Sequence, residues 1–348
     1  MEGKLATEAD LSRPHMAMAD AEGDIHIAGK EAHPVRKVTT DGTIHPIAGT
    51  GRPGFNGDGD AKNCTLTLPN GLYALPNGVV YILDLGNDRI RKLDLKGQLT
   101  TVLHDPKGIV IGWGLWVHPQ EELIYYCSNS ELRSWRPKEG IRTIARGFIS
   151  LGNITVDASG QLYATDRGAG RAYKITANGK AIAIAGSGKG SGGGDGQPAL
   201  ETAMPGCRGI VVLDNGALLL ATHAGGDIWY VDTKGRAYRF LKGKGSGNLC
   251  EGDGDPLTKG GKKLSEPRAI VQAPNKDLII TTNDNGYIRI VPSRLTLSLS
   301  LTPKTLKDTV ALLRIADHFG PGSRTIRLHS SNVVDEHLNG VVSCRTWL

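Results

Sequence analysis

The stretch IAGTGRPGFNGDGDA at residues 47–61, running on through LPNG at 68–71 and VYILDLGNDRIRKL at 80–93, decides the fold. It is one period of a pattern that recurs, more or less worn, from the first residues to residue 302. Within the period, apolar segments at 71–76, 79–84, 89–95 and 99–104 are separated by Pro76-Asn77-Gly78, a polar loop and Lys96-Gly97. Alternation with period two marks half-buried strands, and turn glycines supply the positive φ that tight hairpins need. Each period therefore predicts four short antiparallel strands. Counterparts of the last turn stand at Asp41-Gly42, Glu139-Gly140, Asn178-Gly179 and Lys234-Gly235. Their spacing gives a unit of about forty residues, the length of a propeller blade, with about fifteen more at some junctions.

Those additional residues are Gly-Asp-Gly inserts at Asn56-Gly57-Asp58-Gly59-Asp60, Gly194-Asp195-Gly196 and Glu251-Gly252-Asp253-Gly254-Asp255. Residues 4–14 read as the second half of another. On this register the innermost strands begin near His15, Asn70, Trp113, Gly152, Arg208 and Arg268. Sheets this small cannot hide their apolar faces alone and must stack around an axis. The expectation is an all-β, six-bladed β-propeller of four-stranded antiparallel blades over residues 1–302, followed by a short non-repeat C-terminal appendage over 303–348. LTLSLSL at 295–301 alternates and is the candidate outer strand of blade six. Beyond it, Thr302-Pro303, then Val310, Leu313 and Phe319 near helical spacing, predict a helix ending at Gly320-Pro321-Gly322.

The words AGTG, GDG, LPNG, YILD and NDRIRK resemble the NHL repeat family of β-propellers. The resemblance covers about residues 4–302 and is closest in blade two. It is weakest in blade three, where Tyr125-Tyr126-Cys127-Ser128-Asn129 replaces the aspartate loop. It implies a six-bladed ring. Members of the family act as protein-binding or RNA-binding surfaces, as sensors, and in some cases as lyases or hydrolases, so fold alone does not select the task.

Bulk properties narrow the choice a little. Lys and Arg number 41 against 35 Asp and Glu, a net charge of +6 with no like-charged run to concentrate it. That bias is compatible with an anionic partner without demanding one. The five cysteines lack any C-x-x-C spacing, so buried free thiols are expected, not a disulfide framework or a structural zinc site. No apolar run approaches the roughly eighteen residues of a membrane span, and the N-terminus shows no apolar signal segment. As written the chain reads as cytoplasmic, secreted if the natural N-terminus is longer, and a monomer is expected.

Loops entering the innermost strands share one mouth with loops joining second and third strands. The first set brings together His15, Asn70, Trp113, Arg208 and Arg268 as a ligand-binding rim. The second adds Asp84, Asp166, His223 and Asn283. The expected function is a binding or scaffold module that presents this mouth to a peptide, a protein or an anionic small ligand. Alternatively, His15 and His223 with Asp84 or Asp166 could hold a divalent metal such as Ca or Zn, because imidazole and carboxylate are ordinary ligands for such ions. That set would suit a propeller hydrolase or lyase acting on a lactone or ester. Against it, Asp84 and Asp166 occupy a repeat position that bonds its own loop, with His223 replacing that aspartate in blade five. A third reading, RNA binding, rests on Arg36, Lys37, Arg89, Arg91, Lys92 and Arg289. The scarcity of aromatics for base stacking makes nucleic acid the least favoured partner.

Three other motifs point to structure before chemistry. Asn56, Asp58 and Asp60 resemble the start of a calcium loop, but the twelfth position is Thr67, where a bidentate Glu is required. Lys262 stands there in the third insert. The run GSGKGSGGGDG at 186–196 lacks the Gly-Lys-Ser/Thr ending and following helix of a phosphate loop. Cys207 beside Arg208 has the setting of an activated thiolate, against the plainer expectation of a buried, inert thiol.

Overall fold

The computed structural model describes residues 3–11, 13–111, 113–245, 264–282 and 286–293, and beyond them the strands Ala311–Ala316, Ser323–Leu328 and Arg345–Trp347. The repeat folds as six small antiparallel sheets ordered around an axis. Their innermost strands are Pro14–Ala19, Pro69–Ala74, Leu115–Val117, Leu151–Val156, Cys207–Val212 and Ala269–Gln272. Each touches the next, and the first and last also meet, so the ring is closed. The chain is thus an all-β, six-bladed β-propeller. No helix among the described residues is long and apolar enough to cross a membrane.

The core lies between blades, not inside them. One cluster joins Met16, Ala28 and Val35 of blade one to Leu72, Val80 and Ile82 of blade two. Another joins Ala17, Ile25 and Ile27 of blade one to Ala273, Ile279 and Ile288 of blade six. Glycine makes this approach possible on the inner strands. A Cβ on Gly71 would lie 2.5 Å from the Trp113 carbonyl oxygen, and one on Gly152 would lie 2.6 Å from that of Arg208. Only a residue without a side chain lets neighbouring backbones come so close.

The inserts act as edge fasteners. Lys4–Leu5, Gly59–Asp60 and Gln197–Pro198 each add a fifth, outermost strand to the blade they precede. Equivalent hydrogen bonds run from Ala6 N to Gly42 O, Ala61 N to Gly97 O and Ala199 N to Gly235 O, at 2.8, 2.9 and 2.8 Å. Residues 4–14 are therefore a third copy of the fastener, matching their sequence. The insert aspartates serve the same end. Asp58 accepts from Thr101 N and Oγ1 at 3.0 and 2.7 Å, and Asp195 accepts from Arg239 N at 2.5 Å.

The predicted helix after residue 302 is not formed over the described residues: Ala311–Ala316 is a strand, paired antiparallel with Ser323–Leu328. Leu312, Leu313 and Ile315 suit an extended backbone as readily as a helix, and short apolar runs do not separate the two by periodicity alone. The fourth strand of blade six is Arg345–Trp347, paired with Ile288–Val291. The segment at 295–301 and the insert at 251–255 lie outside the described residues. Among the described residues blade one is built from residues 4–48 and borrows no strand from blade six. The ring closes by packing and by the hydroxyl of Thr281, which donates to the His15 carbonyl oxygen at 3.4 Å.

Candidate binding site at the propeller axis

The innermost strands carry a repeated irregularity where they enter the axis. Strand register slips between Pro14 and Met16, between Pro69 and Gly71, and between Cys207 and Gly209. His15, Asn70 and Arg208 are thus bulged residues, and a bulge re-aims a side chain out of the sheet's regular alternation. Blade four slips between Leu151 and Ile154, with Gly152 and the buried Asn153 inside the slip.

These side chains meet across the channel. Trp113 Nε1 donates to His15 Nδ1 at 2.9 Å, linking blade three to blade one. The Arg208 guanidinium of blade five stacks on the Trp113 ring at 4.0 Å, and its Nη2 lies 3.5 Å from His15 Nδ1. Residues from alternate blades therefore form a plug on the axis, with His15, Trp113 and Arg208 only 4%, 7% and 2% exposed. Arg268 Nη1 approaches His15 Nε2 at 2.7 Å from blade six, and Asn70 hydrogen-bonds the imidazole from blade two. All five rim residues read from sequence are brought together.

Burial pushes the His15 imidazole far below its ordinary range, and Arg208, Arg268 and Lys30 push it further the same way. The leading charges acting on the ring are cations, and the Asn70 hydrogen bond favours protonation against them. His15 is neutral at physiological pH. An indole N–H can only donate, so the Trp113 contact favours Nδ1 as acceptor and the ring proton on Nε2. The Arg268 guanidinium, also an obligate donor, competes for the same role from 2.7 Å off Nε2.

Lys30 and Arg167 belong to this mouth and were not singled out in the sequence. Arg167 lies 5.3 Å above the Trp113 ring. The signal was a one-residue register. Gly29, Asp84, Asp166 and Thr222 occupy equivalent ends of the second strand, paired with Pro14, Pro69, Leu151 and Cys207. Thr222, not His223, therefore stands in the aspartate position of blade five. His223 falls in register with Lys30 and Arg167.

The residues of the metal reading are placed separately. Asp84 accepts from Thr67 N at 2.7 Å and Asn87 Nδ2 at 2.8 Å, and lies 3.6 Å from Arg91. Asp166 accepts from the backbone of Ile149, Ser150, Gly168 and Ala169. His223 Nε2 lies 3.9 Å from Glu266 Oε2. Among the described residues no group of three or more His, Cys, Asp or Glu is arranged to hold a metal ion. Asn283 lies outside the described residues. Cys207 is fully buried, and burial pushes its thiol well above the ordinary range, so the setting does not activate it.

The basic third-strand positions are engaged within the ring. Arg91 is fully buried against Gly57 O, Asp58 and Asp84, and Arg289 is buried in blade six. Arg36 donates to Asp10 O, Arg89 stacks on Phe55, Lys37 pairs with Asp24 and Lys92 with Glu121.

No protein-family profile matches the chain. The solved structures similar to it are propellers. Virginiamycin B lyase from Staphylococcus aureus aligns with TM-score 0.52 at 17% identity, over 84% of both chains. An auxiliary nutrient binding protein from Bacteroides thetaiotaomicron aligns with TM-score 0.59 at 14% identity, over 80% of this chain and 68% of that one. A gluconolactonase from Xanthomonas campestris aligns with TM-score 0.55 at 12% identity, over 79% and 84%. At such identities the likeness concerns the fold. Among curated sequences, mouse Teneurin-3 is 35% identical over 103 residues, and the Arabidopsis thaliana chloroplastic protein SUPPRESSOR OF QUENCHING 1 is 31% identical over 101. These alignments take in 26% and 28% of this chain but only 4% and 10% of those proteins.

Proposed function

We propose that the chain is an NHL-type propeller that binds an anionic ligand, a small molecule or a peptide carboxylate, at its axial mouth. One observation carries this reading: the neutral His15 imidazole sits among Arg208, Arg268 and Lys30, with Arg268 Nη1 only 2.7 Å from Nε2. An oxyanion seated there accepts from the ring N–H and the guanidinium together, and charge-assisted bonds of this kind are the strong ones. The nutrient-binding neighbours support a binding role for this architecture, while the lyase and lactonase neighbours supply the alternative of a propeller enzyme.

Calorimetric titration with carboxylates and phosphate at low salt tests the reading. Binding is expected, and Arg268→Gln should weaken it about tenfold or more, the effect of losing a hydrogen bond to a charged group. No binding by any anion, or one equivalent of metal that vanishes in a His15→Ala, His223→Ala double variant, would overturn it.

A further inference from the structure

Arg36 in blade one is the counterpart of Arg91 in blade two. The pairing of Ile27 with Arg36 matches that of Ile82 with Arg91, and Lys4 with Ile44 matches Gly59 with Leu99. In blade two the insert encloses the guanidinium: Arg91 Nη2 donates to Gly57 O at 2.8 Å and to Asp58 Oδ1 at 3.1 Å. Asp58 also accepts from Thr101, and Cys64 Sγ lies 3.7 Å from Gly57 O. In blade one Gly3 stands in the register place of Asp58, so the carboxylate is missing. Gly29 likewise matches Asp84, the second acid beside Arg91. Arg36 Nη1 instead donates to the Asp10 carbonyl oxygen at 2.9 Å, and Arg36 forms no ion pair among the described residues.

A cavity of about 420 Å³ opens at this place, lined among others by Ala9, Arg36, His45, Pro46, Thr50 and Lys62. Arg36, Pro46 and Ala9 correspond to Arg91, Thr101 and Cys64, the residues that hold Gly57 and Asp58 in blade two. The cavity thus lies where the insert carboxylate sits in the next blade. Three of its lining residues are basic, none of the described ones is acidic, and none belongs to the axial plug. Its volume is that of a small-molecule site.

We infer that this cavity is a second ligand site, separate from the axis, and that it takes a small dicarboxylate. One carboxylate takes the part of the Asp58 side chain against Arg36, where a planar guanidinium suits it. The other is balanced by Lys62 and His45, and two negative charges answer a lining with three basic residues better than one. The fastener backbone already runs beside Thr43–Ala48 here, with Gly3 N donating to Ile44 O at 3.2 Å. What blade one lacks is therefore a side chain and not a strand, so the occupant is a free anion and not an added peptide.

Calorimetric titration with succinate at low salt, in the parent chain and in variants, tests the site. Arg36→Gln should weaken succinate binding about tenfold or more, the effect of losing a hydrogen bond to a charged group. Lys62→Gln, at an exposed position, should weaken it about two- to fivefold, the scale of a surface ion pair. Lys62→Gln decides the matter if Arg36→Gln does not fold. Amide shifts on titration should fall at residues 44–51 and persist in Arg268→Gln, which removes the axial guanidinium only. Succinate binding lost in Arg268→Gln and unchanged by both Arg36→Gln and Lys62→Gln would assign the anion to the axis and overturn the second site. Acetate binding as tightly as succinate would overturn the dianion. A peptide Asn-Gly-Asp-Gly-Asp binding more tightly than succinate would replace the free ligand by an added strand.

Discussion

Trp113 and His15, 98 residues apart and in blades that are not neighbours, share a hydrogen bond of 2.9 Å on the propeller axis. The bond favours the tautomer with the ring proton on Nε2, the nitrogen that faces Arg268. In ¹⁵N NMR the ring is expected as the neutral Nε2–H form. A proton found on Nδ1 would sink the assignment. Trp113→Phe keeps a flat aromatic for Arg208 to stack on but removes the donor and one ring of a buried indole. It should cost about 2–4 kcal/mol of stability in denaturant unfolding, one lost hydrogen bond plus the cavity left behind.

Acid should weaken the fold through its buried histidines. His15 and His26 are both held below the ordinary imidazole range, chiefly by burial. The unfolded chain binds protons that the folded chain refuses. Their contribution to stability is therefore complete above the unfolded pKa, about 6.5, and declines as pH falls below it. One such group contributes a slope of up to about 1.4 kcal/mol per pH unit. His15→Gln should flatten the decline between about pH 6 and pH 4 by that single-proton amount. A variant as acid-sensitive as the parent would show that His15 is not the group responsible.

The closeness of neighbouring backbones at the axis predicts intolerance of the smallest side chain. Gly71→Ala would place a methyl 2.5 Å from a main-chain oxygen of the next blade, an atom that cannot rotate away. A loss of about 1–3 kcal/mol is expected in chemical unfolding, as for other overpacked interiors. An unchanged midpoint would mean that the blades can separate at no cost.

Asp58 provides a test of the insert as a fastener. Asp58→Ala removes the acceptor for Thr101 N and Oγ1 and one partner of the buried Arg91. Amide exchange should accelerate at residues 58–60 and at Thr101, with little change in the axial plug. Undiminished protection would show that strand pairing alone holds the insert.

The ring was legible because its signals are local and repeated: alternation, turn glycines, and a spacing that recurs. The rim was legible for a related reason, since strand starts follow from the period, and His15, Asn70, Trp113, Arg208 and Arg268 all arrive at one mouth. What sequence could not carry was the bulge. A single inserted residue moves a side chain to the other face, and only the pairing of Cys207 with Thr222 shows that His223 is one place beyond the aspartate position. That offset also hid Lys30 and Arg167, which share its register. The strand at Ala311–Ala316 escaped for another cause: its apolar spacing fits two backbones equally, and no neighbouring repeat arbitrates.

His15 and Arg268 stand on opposite sides of the join between blades one and six, where the two ends of the ring meet. A ligand gripped by both would work as a clasp on that seam, added to the packing and the Thr281 hydrogen bond already there. Occupancy should then be felt far from the axis, as slower opening of the N-terminal fastener and a higher melting temperature. The mouth would sense its cargo and, by the same two side chains, hold the molecule shut.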